Sequence, residues 1–215
     1  MKRSHVWTLA FVTICTSSIV VGASSVSGYL KSFKAKRLIQ QDIIKSLSSY
    51  QNQHRKQEDM LKLLYDAMYG VLRSSFLNLE TAGFTMSSPF PKDEPQTLDS
   101  LSLIYENCAL FSDLYLRYPD VTESLYKKFK WADFIDVIKK SIQFCSERKE
   151  VFDSGNEHGK LLHLAMQELK LVPKSPEYKN PYRKVISTPN QKNVKKREKK
   201  KLPRGPYLSK LKTEL

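Results

Sequence analysis

Histidine and cysteine are the residues of this 215-residue chain whose chemistry could go beyond packing. A thiolate beside an imidazole is a nucleophile, and two histidines with a glutamate at helical spacing can hold zinc. Cys145 and His158 are the obvious thiol and imidazole to pair. Cys145, however, lies on an apolar helical stripe with Phe134, Ile138 and Ile142, not at a helix N-terminus where its pKa would fall. His158 and His163 are five residues apart, off a common helical face, and Glu157 beside them does not complete a zinc-protease spacing. A structural or surface role is expected of both. Asp133 and Asp136 fall opposite the apolar face, as solvated charges do. With seven glycines the chain has no phosphate-cradling loop, no dinucleotide fingerprint and no nucleophile elbow. This inventory predicts no enzyme, no cofactor, no metal site and no small-molecule substrate.

The two remaining cysteines could instead bond to each other. Cys15 belongs to an apolar first segment, which leaves Cys108 and Cys145, an even count in an oxidising compartment. A bridge between them would contribute about 3 to 4 kcal/mol by loop closure. Each also sits on an apolar helical stripe, where a free cysteine serves as a small hydrophobe. The sequence leaves both states open.

The compartment is written at the two ends. Lys2 and Arg3 precede a charge-free, mostly apolar run from Val6 to Val21, and Val21-Gly22-Ala23 supplies the small or aliphatic residues signal peptidase needs. A signal peptide over 1–23 is expected, cut between Ala23 and Ser24. The last four residues, Lys212, Thr213, Glu214 and Leu215, resemble an endoplasmic-reticulum retrieval tetrapeptide, with Thr213 in place of an acidic residue. That ending predicts a retrieval receptor as partner and a leaky retention, with a partly secreted fraction. Just upstream, Lys195, Lys196, Arg197, Lys199, Lys200 and Lys201 form a basic run that could serve a nuclear address or a nucleic-acid backbone. Residues 173–215 hold 14 Lys/Arg against 3 Asp/Glu, whereas residues 24–172 hold 20 against 19. The positive charge is therefore a property of the tail. A nucleic-acid-binding domain spreads its basic patch over a folded surface, and nothing between Ser24 and Val172 does so. No N-x-S/T sequon occurs, so no N-glycan is expected.

Between these ends, residues 24–172 suffice for one domain burying about 70% of the surface its unfolded chain exposes. Ile39, Ile43, Ile44 and Leu47 share a helical face, and Leu61, Leu64, Met68, Val71 and Leu72 continue such a stripe after a polar stretch. Two consecutive helices within 29–79 are expected, with a break near Gln53; one continuous coiled-coil-like helix is the alternative. Gly83, Pro89, Pro91 and Pro95 mark a loop. A helix from about Gln96 to Arg117 is apolar on two faces and should be central. Others follow from Pro119 to about Phe129, from Trp131 to about Ser146, and around Leu161, Leu162, Ala165 and Leu169, ending before Pro173. The pattern predicts an all-α bundle of about six helices with a disordered basic tail over 173–215.

Several segments occur in a telling order: "SPFPKDE" at 88–94, "YENCALFSDLYLRYP" at 105–119, "SIQFC" at 141–145, "VF" at 151–152, "LAMQEL" at 164–169, "NPY" at 180–182 and the ending "RGP...TEL". In order and spacing the chain resembles the coiled-coil domain-containing protein 134 family over most of its length. The resemblance implies a non-enzymatic adapter of the endoplasmic-reticulum lumen, acting at the translocon. There it would help the chaperone endoplasmin to fold and shield it from excess N-glycosylation by the oligosaccharyltransferase. Rival expectations are a secreted, cytokine-like helical ligand and a nuclear protein that binds nucleic acid or chromatin through its tail.

Overall fold

The hydroxyl of Ser25 accepts the Gly28 N–H at 3.1 Å, satisfying one of the amides that every helix start leaves without a partner. From that cap the computed structural model of the protein describes residues 25–50, 52–129, 133–153 and 155–183. Among the described residues there are seven helices and no strand. They are α1 (Val26–Ser48), α2 (His54–Thr81), α3 (Pro95–Arg117), α4 (Pro119–Phe129), α5 (Phe134–Glu147), α6 (Lys149–Phe152) and α7 (Glu157–Glu168).

The punctuation follows local chemistry. The chain breaks between Ser48 and His54, as the polar stretch around Gln53 predicts, so the first two helices are separate. At the end of α2, Gly83 takes a left-handed φ of 69°. This lets the Phe84 N–H reach the Leu79 carbonyl at 2.8 Å and the Gly83 N–H reach that of Glu80 at 3.0 Å. Pro95 opens α3 at its first turn, where a missing N–H costs nothing, and Pro119 opens α4 in the same way. The start expected at Trp131 lies outside the described residues, and α5 is helical from Phe134. The single turn α6 is a helix that periodicity did not reveal, being too short to show a stripe.

The α3 helix is the axis of the body. Eighteen of its 23 residues are buried, which requires neighbours on every side, and it packs against α1, α2, α4, α5 and α7. Leu101, Ile104, Tyr105, Leu110, Phe111 and Leu114 are completely enclosed. Each such side chain contributes about 1.5 to 3 kcal/mol by leaving water. Rings fill the space between layers. Tyr29 meets Phe90 and Tyr105 at centroid distances of 5.7 and 6.1 Å, and Tyr65 meets Phe111 and Phe134 at 5.7 and 5.8 Å.

Two features depart from the sequence reading. Ile39, placed on the core stripe of α1, is 43% exposed, while Lys36, Arg37 and Gln40 are buried instead. The reason lies in α3, which brings Glu106 and Asp113 to that seam and so draws the polar residues of α1 inward. The compact unit also extends past Val172 to Arg183. Residues 173–183, assigned above to the tail, form a strap held by polar contacts: the Asn180 amide donates to the Leu116 carbonyl at 2.8 Å, and the Ser175 N–H donates to the Gln167 side chain at 2.8 Å.

Candidate functional site

Burying a charge is costly unless it is paired and hydrogen-bonded, so the enclosed polar side chains mark where the fold has spent its polar chemistry. Three clusters stand out. In the α1–α3 seam, Arg37 donates to the Asp113 carboxylate and, at 2.6 Å, to the Gln40 side-chain carbonyl. Gln40 in turn donates to the Glu106 backbone carbonyl at 3.0 Å, and the Lys36 ammonium lies 3.6 Å from the Glu106 carboxylate. Apolar residues one turn away on either side, Phe33 and Ile44, seal the cluster.

The second cluster is centred on Arg148, which follows α5. Its guanidinium donates to the carbonyls of Met86 and Ser88 at 3.1 and 2.8 Å and to the Glu150 carboxylate at 2.5 Å, and it lies over the Phe84 ring at 5.1 Å. One side chain thereby fixes the proline-rich loop after α2 to the turn between α5 and α6. Arginine suits this task because its planar fork offers several donors in set directions.

Glu168 anchors the third. Its carboxylate accepts the Tyr178 hydroxyl at 2.6 Å and the Lys174 ammonium at 3.0 Å, and lies 3.3 Å from the Arg183 guanidinium. Burial works to raise the Glu168 pKa, but the hydrogen bonds from Tyr178 and Lys174 outweigh it and hold the carboxyl below its ordinary value. All three ligands come from the strap. Beside it, the Arg117 guanidinium stacks over the Tyr182 ring at 3.8 Å.

The groups singled out for chemistry are arranged for packing. His158 is buried, edge-on to Phe33 at 5.0 Å, with its Nε2 3.5 Å from Glu157. Burial, and then the charges of Arg37 and Lys34, lower its pKa and so favour the neutral imidazole. His54 and His163 are exposed. Cys145 does not face an imidazole but Cys108, and burial followed by that contact pushes its thiol well above the ordinary value. A nucleophile needs the opposite shift. Asp133 accepts the Tyr69 hydroxyl, a partner the sequence did not suggest, and Asp136 is exposed. Among the described residues, no group of three or more His, Cys, Asp or Glu could hold a metal ion, and no helix is long and apolar enough to cross a membrane.

Of the residues expected at sites, Cys108 and Cys145 are brought together as two buried free thiols. Ala23 and Ser24, the basic residues Lys195, Lys196, Arg197, Lys199, Lys200 and Lys201, and the terminal Lys212, Thr213, Glu214 and Leu215 lie outside the described residues. Arg37, Asp113, Arg148 and Glu168 were not foreseen. For Arg37, Asp113 and Glu168 the one sequence signal is a charge inside an otherwise apolar stripe, as Asp113 is between Phe111 and Leu114; Arg148, in the polar run "SERKE", had none.

The segments that carry the family resemblance converge in space. Phe90 of "SPFPKDE" packs on Tyr29 beside Tyr105 of α3, Cys108 meets Cys145 of "SIQFC", Phe152 packs on Tyr105 at 5.8 Å, and Asn180 of "NPY" caps Leu116. Comparison with known proteins agrees. The family described as "ERK and JNK pathways, inhibitor" matches residues 22–209. Coiled-coil domain-containing protein 134 of Xenopus tropicalis is 30% identical over 201 residues, which cover 87% of this chain and 85% of the relative. Its counterpart in Mus musculus is 29% identical over 205 residues, covering 89% and 87%. No solved structure matches. None of these names is that of an enzyme. With sequence order, spatial convergence and near-complete coverage in agreement, the chain belongs to the coiled-coil domain-containing protein 134 family.

Proposed function

We propose that this protein is a non-enzymatic adapter of the endoplasmic-reticulum lumen that serves glycoprotein folding at the translocon, with endoplasmin as its client and the oligosaccharyltransferase as the activity it restrains. The observation that carries the reading is the segment Lys2–Ala23 on a member of this family: a positive start, an apolar run and small residues where a peptidase would cut. The tetrapeptide Lys212–Leu215 supports it by offering a retrieval receptor a terminal carboxylate preceded by Glu214. The enclosed charges are compatible with such a role, since Arg37, Arg148 and Glu168 are engaged in holding elements together.

The test is protease protection in sealed microsomes followed by crosslinking and capture from the same membranes. Protection, mature protein beginning at Ser24, and co-capture of endoplasmin with oligosaccharyltransferase subunits are expected. An intact Met1 on the purified cellular protein, or its digestion without detergent, would overturn the lumenal assignment.

A second reading is favoured by the description of the matching family, an inhibitor of the ERK and JNK pathways. Under it the protein is a secreted helical ligand that lowers signalling through those pathways. Deleting Leu215 separates the two. A retrieved adapter should appear in the medium in larger amounts after the deletion, while a dedicated ligand should be secreted equally with and without it. Purified protein added to cells should lower ERK and JNK phosphorylation only under the second reading.

A further inference from the structure

Cys108 of α3 and Cys145 of α5 lie in the seam between their helices, 1% and 0% exposed. The Cys108 thiol points at the Ser141 carbonyl oxygen, 3.9 Å away. Ser141 is one helical turn before Cys145, and a helical side chain leans back over the turn on its N-terminal side. The Cys145 sulfur therefore covers the same turn that the Cys108 sulfur touches. The two thiols lie next to each other. The enclosed neighbours along the two helices include Ile104, Phe111, Ile138 and Ile142 together with the polar Asn107, Ser112 and Ser141.

We propose that Cys108 and Cys145 close a disulfide while the chain folds, stapling α3 to α5 across the core. In cells the oxidant this requires is a small-molecule or protein disulfide, R–S–S–R, such as an oxidising lumen supplies, and to that extent the inference rests on the lumenal reading. One cysteine thiolate attacks a sulfur of R–S–S–R, forming a mixed disulfide and releasing RS⁻. The second thiolate then attacks the protein sulfur of that mixed disulfide, forming the Cys108–Cys145 bond and releasing the second RS⁻. The two cysteine protons end on two molecules of RSH, and the two electrons lost by the protein reduce the oxidant. Timing follows from burial. In the folded body neither sulfur meets solvent, so exchange occurs before α5 docks on α3, and the finished bond resists reductant until the chain unfolds.

The loop closed by Cys108 and Cys145 implies a gain in the folded-to-unfolded ratio of several hundredfold by the chain-entropy relation, or a rise in melting temperature of about 10 °C. The experiment unfolds the full chain under reducing conditions and refolds it either in a glutathione redox buffer or in dithiothreitol. Remaining thiols are then alkylated and the peptides mapped by mass spectrometry, which keeps Cys15 separate. Expected are a joined Cys108–Cys145 peptide pair two hydrogens lighter, the higher melting temperature, and loss of both in Cys108→Ala and in Cys145→Ala. Because those variants could misfold, the unmodified chain is also compared with itself before and after reduction under native conditions, where the bond should survive. Recovery of both cysteines fully alkylated from the oxidising buffer would overturn the proposal, as would a bridged chain no more stable than the reduced one. Refolding in a defined buffer does not depend on cellular address. A bridge that forms there in a protein found outside the lumen would sink only the lumenal reading, and the converse would sink only the bridge.

Discussion

The same chemical change, one methyl group on a glycine, should have opposite effects at two places in this fold. A Cβ at Gly159, in the first turn of α7, would sit 2.0 Å from the Asp153 carbonyl oxygen and 2.5 Å from its carbonyl carbon. Both obstacles are backbone, so no rotamer change relieves the clash. The turn would have to move by more than an ångström, which also disturbs the cap in which Asn156 accepts the Gly159 N–H at 2.8 Å. Overpacking costs about 1 to 3 kcal/mol and loss of such a cap about 1 kcal/mol, so Gly159→Ala should destabilise by roughly 3 kcal/mol. At Gly70, within α2, a Cβ meets nothing within 4 Å and φ is not left-handed. There alanine removes only the entropic cost of glycine in a helix, and Gly70→Ala should stabilise by about 0.8 to 1 kcal/mol. For a body of this size the melting temperature should rise by about 2 to 4 °C in the second variant and fall by about 6 to 12 °C in the first. Thermal unfolding followed by far-ultraviolet circular dichroism reads both. Equal melting temperatures for Gly159→Ala and the parent would refute the close approach of α7 to Asp153, and a destabilised Gly70→Ala would refute the open face of α2.

Truncation tests the strap: a chain ending at Arg183 should unfold at the parent's denaturant midpoint. One ending at Val172 loses the bonds to Glu168, Gln167 and Leu116 and should fall well below it, by an amount of order 2 to 3 kcal/mol. Equal midpoints for the two truncations would mean that residues 173–183 contribute nothing to stability. A pH dependence is expected from His158, whose folded pKa is depressed, while Arg37, Lys34, Glu157 and Asp113 provide the surrounding charges. The unfolded chain binds that proton more readily, so stability should be full above about pH 6.5 and decline as pH falls below it. His158→Phe should flatten the profile between pH 7.5 and 5.5, and an unchanged slope in urea midpoints would count against the assignment. Glu168 has its folded pKa lowered, so its contribution should persist above the ordinary carboxyl pKa and disappear on further acidification; Glu168→Gln should blunt that acid limb.

Much of the helix order was legible because it is local. Gly83, Pro95 and Pro119 act through φ and through the presence or absence of an N–H, and each falls at an element boundary. The two-faced apolar pattern of residues 96–117 likewise identified the central helix, since only an enclosed helix can be apolar on both sides. What escaped was non-local. The inward turn of Lys36, Arg37 and Gln40 depends on which face of α3 carries Glu106 and Asp113, and no window along α1 contains that information. The strap escaped for a related reason: its composition is that of a tail, and only the position of Glu168 on α7 makes Lys174, Tyr178 and Arg183 parts of the body.

The sequence by itself determined that the described body is helical, where most of its helices stop, and to which family the chain belongs, because periodicity, prolines, glycines and the order of short motifs are properties of neighbouring residues. Tertiary structure alone decided that Cys108 and Cys145 meet, that Arg148 clamps a loop some sixty positions earlier in the chain, and that His158 is enclosed with its pKa lowered. Each of these is a distance or a loss of solvent between residues far apart in the chain. Such quantities come into being only when α3 has acquired neighbours on all sides.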